Sequence, residues 1–389
     1  MNQDRFQEMI QSCHLNFLIG SGCSMPFLKT LGNVESLLSE IDQTESMEDE
    51  TRKLIKASVL KQYFDHSIAN NLGLLKIIKD ENCLKTLNTY KNFIKALSEI
   101  VLQRKSSILN KQINLFTSNM DIFLEKSIEE MRLELNDGFS GHLAPVFNLS
   151  NFRKSVFKTS THYDNVSELP VFNLYKVHGS VTWKMNEQGL ILLDPDLSFL
   201  KAVKEHHFKA NEIMEIVDRE TSKPKTLQGL IDETFLYDFS SNHDTFLTLF
   251  DKLAIVNPTK EKFRNTTLHY TYYEQLRMFS NELEKENVVL FVMGFSFSDE
   301  HVREIVLRSL NSNPTLVVAV FAYEAISEGQ IIQNLRLQEH PPKYNNLLFM
   351  PRIKDGEAEE EKEHDLHNIN KYYFNTLCEK INDQEIVTT

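Results

Sequence analysis

Glycine is scarce in this sequence, with 12 in 389 residues, under half of the roughly 7% of ordinary usage. A chain this poor in glycine keeps it mainly where the backbone needs positive φ or close approach to another group. Cysteine is scarce too: Cys13, Cys23, Cys83 and Cys378 are scattered and form no Cys-x-x-Cys pair, which excludes a disulfide framework and a paired-cysteine zinc cage. Positive charge is outweighed, 42 Lys+Arg against 55 Asp+Glu for a net charge of −13. That balance argues against a protein that coats nucleic acid through bulk charge and leaves a local basic groove open. No apolar run reaches the roughly 18–20 residues of a membrane span; the longest, Val288–Phe295 and Leu316–Tyr323, are strand-sized. Met1–Ile10 carries acids and amides and lacks the basic-then-apolar order of a signal peptide. The expectation is a soluble, cytoplasmic chain with no membrane partner.

What is present is a 41% apolar share, enough for a real core. The length fits one large domain with insertions, or two domains. Short apolar runs at Leu15–Ile19, Ile113–Thr117, Val171–Val177, Ala254–Val256, Val288–Met293 and Leu316–Phe321 read as buried strands. Helical patterns lie between them: Asp4–Cys13, Asn33–Ile41, a repeat of Leu124, Ile128, Met131 and Leu135, then His269–Lys285 and Ile369–Lys380. Residues 45–106 read as a helical insertion, 184–253 as a second insertion of mixed structure, and Glu357–Glu363 as a solvated loop. Strands alternating with helices imply an α/β fold, a Rossmann-like parallel sheet covered by helices. In such sheets ligands bind at the carboxyl ends of the strands.

The polar clusters all fall at such ends. Gly20-Ser21-Gly22 follows the first strand and can bring backbone amides onto a pyrophosphate, although Met25 stands where G-x-G-x-x-G needs its last glycine. The competing reading is a tight strand-to-helix turn. Thr117-Ser118-Asn119-Met120-Asp121 follows the second strand; an amide and a carboxylate two residues apart can grip sugar hydroxyls or hold a water, or else cap the next helix. His178-Gly179 places an imidazole at another strand end, as a general base or as a structural histidine. Gly294-Phe295-Ser296 leads to Ser298 and Asp299, where Ser296 or Ser298 can cap the following helix.

Taken in order, these elements resemble the sirtuin-like family of NAD-consuming Rossmann-type domains. The resemblance rests on Gly-x-Gly-x-Ser at Gly20–Ser24, Thr-x-Asn-x-Asp at Thr117–Asp121 and His178-Gly179. Asn136-Asp137-Gly138-Phe139, Asn257-Pro258-Thr259 and Gly294–Asp299 are similar to loops of bacterial sirtuin-like effectors. The likeness covers roughly 12–183 and 254–325 and leaves the insertions unexplained. Protein-deacylating sirtuins carry a four-cysteine zinc module, a Gln where this chain has Ser118, and an Arg-bearing loop where it has Met25–Lys29. The pattern therefore resembles the branch that hydrolyses NAD+ in antiphage (abortive infection) defence, of the type paired with a HerA-like ATPase.

The resemblance implies NAD+ as substrate, no metal, and nicotinamide and ADP-ribose as products. It assigns Asn119 to the nicotinamide ribose and attacking water, and His178 to polarising a ribose hydroxyl or that water. Gly20, Ser21 and Gly22 would face the pyrophosphate. Thr117, Ser118 and Asp121 would line the cofactor, with Asp121 contacting ribose or orienting Asn119. Gly294 and Ser296 would lie near the adenosine half. It further implies a homo-oligomer gated by a HerA-type ATPase, nucleic acid being met only through that partner. Residues 45–104 are the expected subunit interface, because their apolar positions exceed what a surface excursion needs. The alternatives are a protein deacylase or ADP-ribosyltransferase, a non-catalytic NAD sensor, and a structural subunit.

Overall fold

The computed structural model describes residues 3–25, 27, 34–76, 78, 80–104, 108–217, 223–255, 266–354 and 361–388. Asn257-Pro258-Thr259 and most of Met25–Lys29 lie outside them. Seven strands form the main sheet: β1 (His14–Ile19), β2 (Gln112–Thr117), β3 (Glu134–Asn136), β4 (Val171–Lys176), β5 (Val288–Met293), β6 (Leu316–Phe321) and β7 (Leu347–Phe349). Their spatial order is β7-β6-β5-β1-β2-β4-β3, and every neighbouring pair is parallel. Helices cover both faces, so the α/β, Rossmann-like expectation holds.

The two faces follow from the period of two along each strand. Leu15, Phe17 and Ile19 turn to a core shared with helices Gln3–Ser12, Asp49–Tyr63 and Glu81–Leu102, while Leu18 joins the opposite core under Thr266–Leu283 and Glu300–Ser312. The second face carries a polar row. The register sets Asn16 beside Asn114, Asn114 beside Asn173, and Asn173 beside Asn136. Asn114 Nδ2 donates to Asn16 Oδ1 at 2.9 Å, Asn173 Nδ2 to Asn114 Oδ1 at 2.9 Å, and Asn136 Nδ2 to Asn173 Oδ1 at 3.1 Å. At Asn114 the row also meets the buried Glu282, which accepts from Asn114 and pairs with Arg153 and Lys285. A one-residue slip of any strand would turn its asparagine to the other face, so the row helps fix register.

Several elements differ from the sequence reading. The helix after β2 is Phe123–Glu130, and Leu135 lies on the edge strand β3. Arg132 takes φ +55° and turns the chain out of the helix. Ile255 forms an isolated bridge with Gly179. The last helical stretch is broken by a π-turn at Asn370–Asn375. Glu361-Lys362 pair with Ile353-Lys354; residues 357–360 of the expected acidic loop are outside the described residues.

Glu81–Leu102 carries Phe93 onto Phe17 and Phe374 at ring distances of 5.4 and 5.5 Å. Leu54, Ile55, Val59, Leu60 and Phe64 are also fully buried in the chain's own core. Much of the apolar surface of this stretch is thus buried within the chain, while Leu75, Leu84 and Leu102 stay exposed. The second insertion holds helices Ser198–Glu205, Leu227–Glu233 and Ser241–Phe250, and it packs on the first. Met214 N donates to Ser58 Oγ at 3.0 Å, Lys53 lies 3.3 Å from Asp244, and the Phe64 and Phe250 rings meet at 6.5 Å. Among the described residues no helix is long and apolar enough to cross a membrane, and no three His, Cys, Asp or Glu side chains are grouped to hold a metal.

Candidate active site

The chain runs from β1 to one side of the sheet and returns through β5 on the other, which makes the gap between β1 and β5 a topological switch point. The loops after these strands close on each other. Gly20 N donates to Met293 O at 2.9 Å and Gly22 N to Gly294 O at 3.0 Å. A Cβ on Gly20 would lie 2.2 Å from Gly294 O, and Gly294 itself takes φ +58°, so the close approach requires glycine on both sides. Of the three positions expected to face a pyrophosphate, Gly20 and Gly22 use their amides within the protein. Ser21 and Gly22 are exposed at the mouth.

Asn119 sits behind this loop. Thr117 Oγ1 donates to Ile19 O at 2.8 Å and accepts from Asn119 N at 3.0 Å, which ties the end of β2 to the end of β1. Asn119 Nδ2 then donates to Gly20 O at 3.0 Å and to Ser24 Oγ at 3.3 Å. A carbonyl can only accept, so this contact fixes which end of the amide is nitrogen. Asn119 Oδ1 is therefore the other end, and it is buried without a hydrogen-bond partner.

The amide is held by a closed polar cluster. Ser24 Oγ donates to Asp121 Oδ2 at 2.7 Å. Its single proton being committed, Ser24 must accept from Tyr90 Oη, 3.0 Å away. Burial first, and the Asp121 carboxylate second, push the Tyr90 phenol well above its ordinary range, so it stays a donor. Asp121 Oδ1 also accepts from Phe123 N at 3.2 Å. Asp121 thus holds the first turn of the helix and orients Asn119 through Ser24. Replacing Ser24 by alanine leaves Tyr90 and Asp121 short of a buried partner. The expected result is a loss of about 1–3 kcal/mol in stability, measured by thermal or urea unfolding, and a larger proportional loss in any activity that depends on Asn119.

Beneath the cluster, Lys176 at the end of β4 donates to Asn119 O at 3.3 Å and to Asp121 O, and pairs with Glu125 at 3.0 Å. Its side chain is 3% exposed. Burial pushes the Glu125 carboxyl up, against the opposing pull of Lys176. Ser118 is half-buried. Cys23 lies against Gly294; burial above all drives its thiol far up, which makes it an inert packing residue.

His178 follows β4 and reaches the loop after β5. Its Nε2 lies 2.9 Å from Asp299 Oδ2, and its ring lies 5.8 Å from that of Tyr272. Asp299 Oδ1 accepts from Val302 N at 3.1 Å, so Asp299 caps helix Glu300–Ser312, in place of Ser296 or Ser298. Ser296 Oγ and Ser298 Oγ bond each other at 2.9 Å, and Ser296 O accepts from Asn334. Ser296 is exposed.

The sequence-derived residues thus fall at the ends of β1, β2, β4 and β5, and the glycine loop and Asn119 are in direct contact. Ser24 and Asp299 were visible as the last residues of their motifs, without their contacts to Asn119 and His178. Tyr90, Glu125 and Lys176 carry no local signal; each reads as an ordinary helix or strand residue. Neither a family model nor a curated protein matches this chain.

Proposed function

We propose that the chain hydrolyses NAD+ at the bond between nicotinamide and ribose, releasing nicotinamide and ADP-ribose. The observation that carries this reading is the buried, unpartnered Oδ1 of Asn119, beside the glycine loops at the switch point of a parallel sheet. An orphaned acceptor in a fixed amide suits a ribose hydroxyl or a held water. Cleavage through an oxocarbenium-like state needs held geometry and electrostatic support more than a strong nucleophile. Asn119 fixes a hydroxyl or water, His178 takes a proton, and the loop at Ser21-Gly22 meets the dinucleotide's phosphates.

Service in antiphage defence, assembly into a homo-oligomer and gating by a HerA-type ATPase rest on the resemblance. They also answer a need, since a free NAD+ hydrolase would deplete its own cell. A partner gates activity by binding two states differently. The test is incubation of the purified chain with NAD+, alone and with the product of the neighbouring gene, followed by chromatographic analysis. Nicotinamide and ADP-ribose in equal amounts are expected, at a rate raised by the partner. Intact NAD+ under both conditions would refute the hydrolase reading; labelled protein or O-acyl-ADP-ribose would replace it with a transferase or deacylase.

A further inference from the structure

We propose that Asp299 is a positioning residue for His178, holding the imidazole with its proton on Nε2 so that Nδ1 is the atom that accepts a proton. The inference rests on the hydrolase reading for its chemistry and on geometry for its existence. Asp299 has two jobs on two oxygens. Oδ1 caps the helix at Val302 N, which fixes the carboxylate's position, and Oδ2 lies 2.9 Å from His178 Nε2. The carboxylate is 8% exposed and His178 19%, so the contact is shielded from water. The two atoms stand at ion-pair distance without an aligned hydrogen bond; a carboxylate only accepts, so a turn of the ring that aligns the contact requires the proton on Nε2. Among the described residues no hydrogen bond engages Nδ1.

The loop that delivers Asp299 is built for placement. Gly294 takes φ +58° and Phe297 φ +61°, a left-handed conformation that a bulky residue adopts only when its surroundings enforce it. Phe297 is fully buried, and its ring meets Phe295 at 5.3 Å. That burial offsets the strain and aims the following Asp299 at His178. Tyr272 packs on the imidazole, and His301 lies against Tyr272 at 6.0 Å. Burial, with the Asp299 charge second, keeps the Tyr272 phenol protonated.

In the reaction, the proton of the attacking water moves to Nδ1 while the oxygen's electron pair forms the bond to the anomeric carbon. The bond from that carbon to the pyridinium nitrogen breaks, and its pair neutralises the ring as nicotinamide leaves. The resulting imidazolium faces the Asp299 carboxylate, which stabilises it without taking the proton. The imidazolium later releases its proton to solvent.

Asp299→Asn separates this role from capping, because asparagine caps as well as aspartate while its amide no longer compels a proton on Nε2. The ring is read by nitrogen-15 NMR of histidine-labelled protein, with the His178 resonances assigned by their absence in His178→Gln. The wild type is expected to show the Nε2–H tautomer, and Asp299→Asn to lose that preference with NAD+ turnover reduced roughly ten- to a hundredfold, mainly in kcat. An Nδ1–H tautomer in the wild type overturns the proposal whatever the variant does. So does an unchanged tautomer in a folded Asp299→Asn protein. If the expected tautomers are found but NAD+ is not cleaved, the positioning stands and the hydrolase reading fails.

Discussion

Replacing Asn119 by alanine is expected to lower NAD+ cleavage by roughly 10²–10³-fold while leaving thermal unfolding cooperative. The substitution removes the Oδ1 acceptor and both donations from Nδ2. The remaining structure tolerates this. Gly20 O keeps the bond from Cys23 N at 3.1 Å, and Ser24 Oγ keeps Tyr90 and Asp121. The wild type already carries a buried acceptor with no partner, which costs about 1–3 kcal/mol, and alanine deletes it. Lost and relieved terms nearly cancel, so the change in stability should fall within about 1 kcal/mol. A large loss of turnover with little loss of stability is the signature of a group kept for function. Turnover within tenfold of wild type, or a protein that melts several kcal/mol less stable, would reassign Asn119 to the fold.

The clusters on which this expectation rests were partly legible because parallel strands announce themselves. Leu15–Ile19 and Val288–Met293 are apolar on both faces, and scarce glycines punctuate their ends. The edge strands were not legible. Glu134–Asn136 is short and polar, and Leu135 happens to continue a helical spacing; Leu347–Phe349 is too short to stand out. The asparagine row was invisible for a different reason. Asn16, Asn114 and Asn173 each read as a lone polar residue in an apolar strand, and only the pairing register brings them together. The pairing of His178 with Asp299 likewise depends on β4 and β5 lying at different places in one sheet. Spacing along the chain carries no trace of that. The helical stretch before β2 carries many apolar residues, and only the folded chain shows which of them its own core takes, such as Leu54 and Phe93, and which stay exposed, such as Leu84 and Leu102.

The other large effect concerns stability. Lys176→Met is expected to destabilise the fold by about 3–5 kcal/mol at pH 8, because it leaves Glu125 without the charge that holds it. Glu125 Oε2 already lacks a hydrogen-bond partner. The direction with pH follows from the carboxyl's raised position, caused by burial and opposed by Lys176. A group whose value is higher folded than unfolded contributes stability that is fully present below the unfolded value, near 4.5, and is lost as pH rises through the folded value. Removing Lys176 raises the folded value further and enlarges that loss. The variant should therefore lie closer to wild type at pH 5 than at pH 8. Adding Glu125→Gln should recover much of the deficit at pH 8, because no buried charge then remains unpaired. An equal penalty at both pH values, or no recovery in the double variant, would show that Lys176 matters by packing alone. The double variant also isolates a second role. It still lacks the donations from Lys176 to the carbonyls of Asn119 and Asp121, so it should be stable but slow, its Asn119 free to drift from the geometry that Ser24 and Gly20 set. Full turnover in that stable protein would mean the backbone of the Asn119 loop is held well enough without the lysine.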